Sequence, residues 1–218
     1  MSRIASSTLW AAVPGLNSCT LSCSRAVEDA FWDSDYLRRW SAILGSSEIA
    51  EAAARHGRRV VFMPHPNFQA LLPQIKLPAH VAGLSFADND AQEIYARAAL
   101  MVTDYSSVAF DVAALERPIV YYQFDRDEVL GGAHLSRKGY FDYTRDGFGP
   151  VVINEAEAIR AIVAAIEDGP RPSPDYQTRI DQTFVNRDGQ ACARVVAAVE
   201  ELSRPYRSPI TTTGMTAT

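Results

Sequence analysis

What this 218-residue chain lacks already excludes several functions. No apolar run approaches the ~20 residues that span a bilayer. The segment Leu9-Trp-Ala-Ala-Val-Pro-Gly-Leu16 is apolar like a signal-peptide core, but Pro14 interrupts it and no A-x-A site follows, so secretion is not expected. The 3 cysteines, Cys19, Cys23 and Cys192, are odd in number and none forms a C-x-x-C pair. Neither a disulfide framework nor a structural zinc site is therefore expected, and the count fits a reducing cytoplasm. A net charge of −5 gives no broad grip on nucleic acid. Among short basic clusters, Arg58-Arg59 reads as solvated surface charge, whereas Arg137-Lys138 could hold a phosphate locally. There is no G-x-x-x-x-G-K-S/T loop of a P-loop NTPase and no G-x-G-x-x-G of a dinucleotide oxidoreductase. Without a G-x-S-x-G elbow, Ser106 and Ser107 are poor hydrolase nucleophiles. No compact His/Asp/Glu set suggests a catalytic metal, and no cofactor is implied.

What is present is an ordinary globular composition, 47% hydrophobic and 22% charged, long enough for one domain with a substantial core. Residues 1–33 are rich in Ser and small side chains, show no sustained period and are expected to be poorly ordered. From Ser34 the pattern changes. Tyr36, Leu37, Trp40, Ile43 and Leu44 recur at helical spacing, and Ser46-Ser47 caps a second helix that Gly57 stops. Strands are expected at Arg59–Met63, Val81–Leu84, Leu100–Thr103, Pro118–Gln123 and, after the Gly149-Pro150 turn, Val151-Val152. Helices are expected at Asp90–Ala98, Ser107–Leu115, Glu155–Glu167 and Gln190–Leu202. Strands alternating with helices define an α/β, Rossmann-like three-layer αβα domain with a mostly parallel sheet. Ligands of such sheets bind beyond the C-terminal strand ends, here His65, Ser85, Asp104 and Gln123–Asp125. Residues 125–150 are Gly-rich, charged and irregular, as functional loops often are. The tail 204–218 is expected to be disordered.

Three motifs carry candidate chemistry. In Met101-Val-Thr-Asp-Tyr-Ser-Ser-Val-Ala-Phe-Asp111 an apolar strand ends at Thr103-Asp104, and Ser106-Ser107 opens a helix. Free N–H groups and two hydroxyls there suit a phosphate. The same residues equally suit an ordinary N-cap, and the two readings stand level. His65, between Pro64 and Pro66, is held at a strand end where it could bond a phosphate or act as acid or base near neutral pH. In Gly131–Tyr143, Arg137 and Lys138 can neutralise a diphosphate. Tyr140, Phe141 and Tyr143 can pack the loop down, and Asp142 can orient a base, hold a ribose hydroxyl or pair with Lys138. A structured surface loop with solvated charges is the alternative. His56 and His80 receive no role.

Together these segments resemble the CDP-glycerol glycerophosphotransferase family, which includes teichoic acid primases and polymerases. The matching residues are Phe62-Met-Pro-His-Pro66, Ala99-Leu-Met101 with the motif above, Arg117-Pro-Ile-Val-Tyr-Tyr122, Lys138-Gly-Tyr-Phe-Asp-Tyr143 and Gly147-Phe-Gly-Pro150. Asp188-Gly-Gln190 and Arg194 look like the start of the family's last helix, so the likeness runs from about Ser34 to Leu202. It implies the C-terminal, nucleotide-binding half of a GT-B fold, with residues 34–203 as the CDP-glycerol-binding domain. The family's Thr-Trp-Arg strand is not matched, since Ser7-Thr-Leu-Trp10 carries only the Trp. Because only residues 1–33 precede the match, the chain is expected to be a fragment lacking the acceptor domain.

The implied reaction transfers glycerol phosphate from CDP-glycerol to a hydroxyl of a polyol-phosphate or lipid-linked, teichoic acid-like acceptor. Ser106, Ser107 and their N–H groups would hold the pyrophosphate, with Thr103, Asp104 and Asp111 binding or orienting around them. Arg137 or Lys138 would offset charge on the leaving phosphate, and His65 would donate a hydrogen bond or proton. The resemblance further implies a cytoplasmic location, peripheral at the inner face of the cell membrane, and a partner supplying the missing domain. The alternatives are a GT-B glycosyltransferase using another sugar nucleotide, or an inactive nucleotide-binding half that docks on a partner.

Overall fold

A computed structural model of the chain describes residues 8–13, 32–64, 66–129 and 140–204. His65, Arg137, Lys138 and the tail from residue 205 onward lie outside the described residues.

Six strands are described: β1 (Thr8–Val13), β2 (Arg59–Pro64), β3 (Val81–Gly83), β4 (Ala98–Thr103), β5 (Ile119–Tyr122) and β6 (Val151–Val152). They form one sheet in the order β3-β2-β1-β4-β5-β6, with all neighbours parallel. Every residue of β4 and β5 is buried. That is why these strands read as continuous apolar runs, since a parallel sheet carries helices on both faces. Apart from a three-residue turn of helix at Arg126–Glu128, the described helices are α1 (Asp35–Leu44), α2 (Ser47–Arg55), α3 (Ala91–Arg97), α4 (Val108–Ala114), α5 (Tyr143–Asp146), α6 (Glu155–Asp168), α7 (Pro174–Thr183) and α8 (Ala191–Ser203). A 3-10 segment, Pro66–Gln74, follows β2.

The period of two along the strands decides which face each residue serves. Val60, Phe62, Leu100, Val102, Val120 and Tyr122 join Trp40, Ile43 and Ile49 of α1 and α2, and Ile162 and Ile166 of α6, in one core cluster. On α4, Ala109, Val112 and Ala113 are buried, and this helix packs against β4 and β5. Side-chain caps start the helices where the sequence places them: Ser34 accepts from Leu37 N–H at 3.1 Å and Ser46 from Ile49 N–H at 3.4 Å.

Two findings differ from the sequence reading. Periodicity sets residues 1–33 apart from the domain, yet Thr8–Val13 is a strand at the centre of the sheet, with Trp10 in register with Val61 on one side and Met101 on the other. The Trp-bearing segment that fails the Thr-Trp-Arg pattern is thus a sheet strand. Periodicity also misses α7, a mostly polar helix whose one buried residue is Ile180.

The chain divides into a unit ending at Thr183 and a second beginning at Phe184, whereas sequence pattern runs one domain through residue 203. Within the second unit Arg194 pairs with Asp188 at 3.0 Å, and Val195, Val196, Val199 and Leu202 of α8 are exposed.

The Gly147-Phe-Gly-Pro150 turn shows why glycine is needed. A Cβ on Gly149 would overlap the Ile119 carbonyl, and one on Gly147 the Tyr143 carbonyl. Gly149→Ala must therefore push β6 from β5, and should lower unfolding stability by about 1–3 kcal/mol or more. Urea unfolding followed by circular dichroism checks this, and an unchanged midpoint would contradict the close approach.

Candidate functional site

The strand order reverses between β1 and β4, so a crevice opens beyond the C-terminal ends of these strands. The turn Asp104–Ser107 leaves β4 at this point and enters α4.

Side chains distant in sequence determine its geometry. Gln123, one residue past β5, donates from Nε2 to the Asp104 carbonyl at 3.0 Å. The Tyr143 hydroxyl, at the start of α5, donates to the Tyr105 carbonyl at 3.0 Å. The Tyr105 hydroxyl donates to Asp125 Oδ1 at 3.0 Å, and the Tyr105 N–H donates to Asp104 Oδ1. Past the turn, the Ser106 and Ser107 carbonyls accept from Ala109 N–H (3.2 Å) and Phe110 N–H (3.0 Å) as α4 begins. Ser106 Oγ accepts from Val108 N–H at 3.2 Å. Ser107 is exposed, and its hydroxyl caps no helix N–H. Among the described residues, neither the Ser106 nor the Ser107 N–H finds an acceptor.

The two readings of this turn are thus divided between its serines. Ser106 does the local capping, while Ser107 and two amide N–H groups remain available. α4 has only seven residues, so donors in the turn, rather than a long helix dipole, dominate here.

Rings join the turn to the downstream motifs. Phe110 packs against Phe141, tilted, and Phe148, edge-on, at centroid separations of 5.1 and 5.2 Å. Tyr143 meets Tyr121, Phe141 and Tyr105 at 5.1, 5.2 and 5.8 Å. Arg179 of α7, unanticipated from sequence, donates to the Thr144 and Gly147 carbonyls at 3.1 and 3.0 Å and holds α5 in place.

Burial decides the electrostatics. Asp104 is 5% exposed, and loss of hydration pushes its carboxyl well above the usual range. The nearby Asp125 charge adds to this, and the Tyr105 N–H opposes it. Burial, with the Asp104 charge second, pushes the Tyr143 hydroxyl up to about 12. Thr103 is fully buried, and among the described residues its Oγ1 and Gln123 Oε1 lack partners, so the strand ends are polar within an otherwise apolar sheet.

Of the expected site residues, Thr103, Asp104, Ser106 and Ser107 share this turn, with the first two buried beneath it. Asp111 lies in α4, exposed, and its charge acts on the Tyr95 hydroxyl of α3. Asp142, expected to orient a base, hold a ribose hydroxyl or pair with Lys138, is engaged in local structure through one carboxylate oxygen. Its Oδ1 accepts from Thr144 and Arg145 N–H, both at 2.9 Å, making it the N-cap of α5, and these bonds, the Arg145 N–H foremost, lower its pKa. Gln123 and Asp125 are flagged in the sequence only as part of a strand end, and the hydroxyls of Tyr105 and Tyr143 are given no site role.

A doubly wound parallel sheet in the order β3-β2-β1-β4-β5-β6 defines a Rossmann-like domain, the fold of one half of the GT-B architecture. Superposition agrees: the wall teichoic acid polymerase TagF matches with a TM-score of 0.53 at 17% identity, over 93% of this chain and 45% of that one. The spinosyn rhamnosyltransferase SpnG matches with a TM-score of 0.50 at 15% identity, over 91% of this chain and 46% of that one. The sequence profile of the CDP-Glycerol:Poly(glycerophosphate) glycerophosphotransferase family matches residues 31–201, and the chain belongs to that family.

Among its relatives, the minor teichoic acid biosynthesis protein GgaB of Bacillus subtilis (strain 168) is 28% identical over 180 residues, covering 82% of this chain and 19% of GgaB. The teichoic acid glycerol-phosphate transferase of Staphylococcus aureus (strain NCTC 8325 / PS 47) is 34% identical over 111 residues, covering 50% of this chain and 28% of its own length. The chain thus spans between about a fifth and somewhat over a quarter of these two relatives. No helix among the described residues is long and apolar enough to cross a membrane.

The buried carboxyl generates a pH prediction. Asp104 holds its proton more tightly folded than unfolded, where a carboxyl titrates near ~3.9. Below that pH its burial carries no ionisation penalty. As pH rises, folded stability should fall by up to about 1.4 kcal/mol per pH unit until the folded group ionises. Asparagine does not titrate, so the thermal midpoint of Asp104→Asn relative to wild type should rise from pH 4 to pH 7. A difference that does not change with pH would contradict a neutral buried acid.

Proposed function

We propose that this domain binds CDP-glycerol and takes part in moving glycerol phosphate to a hydroxyl of a teichoic acid-like polyol-phosphate acceptor. The observation that carries the proposal is the pair of unaccepted N–H groups of Ser106 and Ser107, beside the exposed Ser107 hydroxyl, at the switch point of a member of this family. In this reading they hold the pyrophosphate, as donors fixed in place before a charged ligand arrives. The acceptor oxygen attacks the β-phosphorus in line, the bond from that phosphorus to the bridging oxygen breaks, and CMP leaves. The acceptor's proton passes to a base that this chain does not identify.

His65, Arg137 and Lys138 are proposed to serve the same site. His65 donates a hydrogen bond or proton to the phosphate, and Arg137 or Lys138 offsets charge on the departing CMP. Their support is their place in the family motifs and the charge the reaction develops. The acceptor half is proposed to come from a longer form of the polypeptide or from a partner, at the cytoplasmic face of the membrane without spanning it. The fraction of the relatives that this chain spans supports a further half, and the absence of a long apolar helix among the described residues is compatible with peripheral attachment.

Calorimetric titration of the purified chain with CDP-glycerol tests the reading, with UDP- and GDP-sugars as competitors. Preference for CDP-glycerol is expected, and preference for another sugar nucleotide would replace the proposed donor. Ser107→Ala removes one hydrogen bond to a charged phosphate. It should weaken binding by about tenfold to a hundredfold, while an exposed substitution leaves the thermal midpoint nearly unchanged. A folded wild-type chain that binds no CDP-glycerol would overturn the proposal.

A further inference from the structure

The Tyr105 carbonyl and the Ser106 N–H belong to one peptide unit. In a trans peptide the two point in opposite directions, so whatever fixes the carbonyl also aims the N–H. Here the carbonyl is held at 3.0 Å by the hydroxyl of Tyr143, a residue 38 positions away. The preceding unit is fixed in the same way by Gln123 on the Asp104 carbonyl. Its N–H, that of Tyr105, turns to the Asp104 carboxyl and leaves the set of free donors.

We propose that Tyr143 is a positioning residue for the anion seat: its hydroxyl holds the Tyr105–Ser106 peptide in the orientation that presents the Ser106 N–H to a diphosphate. The inference rests on the reading of this turn as the pyrophosphate seat. Without the Tyr143 hydroxyl the peptide can rotate, and the Tyr105 carbonyl, a partial negative charge, can face the ligand in place of the N–H. The ring of Tyr143 is packed against Tyr121 and Phe141 independently of this bond, so the hydroxyl can be removed with the packing kept. Burial keeps that hydroxyl protonated, and therefore a donor, at any pH at which the fold would work.

The test uses the full chain as wild type, Tyr143→Phe and Tyr121→Phe. Tyr121 is the control. It is buried in the same ring cluster, and its hydroxyl meets the Phe148 N–H at 3.5 Å rather than the turn. Two ligands are titrated, CDP-glycerol by calorimetry and inorganic pyrophosphate by the amide proton and nitrogen shifts of Ser106 and Ser107. Tyr143→Phe is expected to weaken both ligands by about tenfold, the effect of one well-placed hydrogen bond to an anion, and to abolish the Ser106 shift. Tyr121→Phe is expected to stay within about twofold of wild type.

Equal weakening by both variants would overturn the proposal, because general loosening of the cluster would then explain the loss. Unchanged affinity in Tyr143→Phe would also overturn it. A wild type that ignores CDP-glycerol but shifts both amides with pyrophosphate would reject the donor assignment alone, and the pyrophosphate arm would still decide the role of Tyr143. Pyrophosphate that moves neither amide in wild type would overturn seat and inference together.

Discussion

The cluster of rings formed by Tyr105, Phe110, Tyr121, Phe141, Tyr143 and Phe148 is the interaction on which the candidate site depends. These rings come from the β4–α4 turn, from β5 and from the segment that returns the chain to β6. Each tilted or edge-on pair contributes about 0.5–1.5 kcal/mol beyond the area it buries. Several pairs sharing members can therefore hold an otherwise irregular segment against the sheet. Once it is held, Tyr143 reaches the Tyr105 carbonyl, Asp142 caps α5, and the glycines at 147 and 149 allow β6 to close on β5. Residues 105–110, 121, 141–143 and 148, well separated in the sequence, are one packed unit.

The electrostatics follow from the same packing. An ionised carboxylate buried directly beneath the proposed phosphate seat would repel the ligand. Burial instead favours the neutral form of Asp104, whose Oδ1 is taken up by the Tyr105 N–H. Asp142, which could have been a second acid facing the site, directs an oxygen at two helix N–H groups. Asp125 is engaged by the Tyr105 hydroxyl. Each of these acidic groups therefore has a local structural partner, and the donors left over are amide N–H groups and the Ser107 hydroxyl.

Much of the fold was legible in the chain. The apolar runs of β2, β4 and β5 and the capped, amphipathic α1, α2 and α6 carry strong local signals, because burial on both sheet faces or on one helical stripe dictates composition. β1 was not legible. Thr8–Val13 is short, follows a Ser-rich stretch and precedes Pro14-Gly15, so its apolar character reads as something other than a strand until β2 and β4 are placed on either side of it. α7 was missed because a helix with one buried residue has almost no periodic stripe. The capping role of Asp142 was not read because a cap and a ligand contact ask for the same residue type.

The sequence by itself determined the class of the domain, the strand end at Thr103-Asp104 and the motif that follows it, since apolar period, turn residues and family pattern are all local properties. Only the tertiary structure decided that β1 completes the sheet and places the switch point beside β4. It also decided that Gln123 and Tyr143 hold two successive carbonyls of the turn, and which serine caps and which stays open. The reason is physical. The two carbonyl contacts join residues 19 and 38 positions apart and the β1 pairings join residues farther apart still, and no periodicity records which distant group will arrive at a given place.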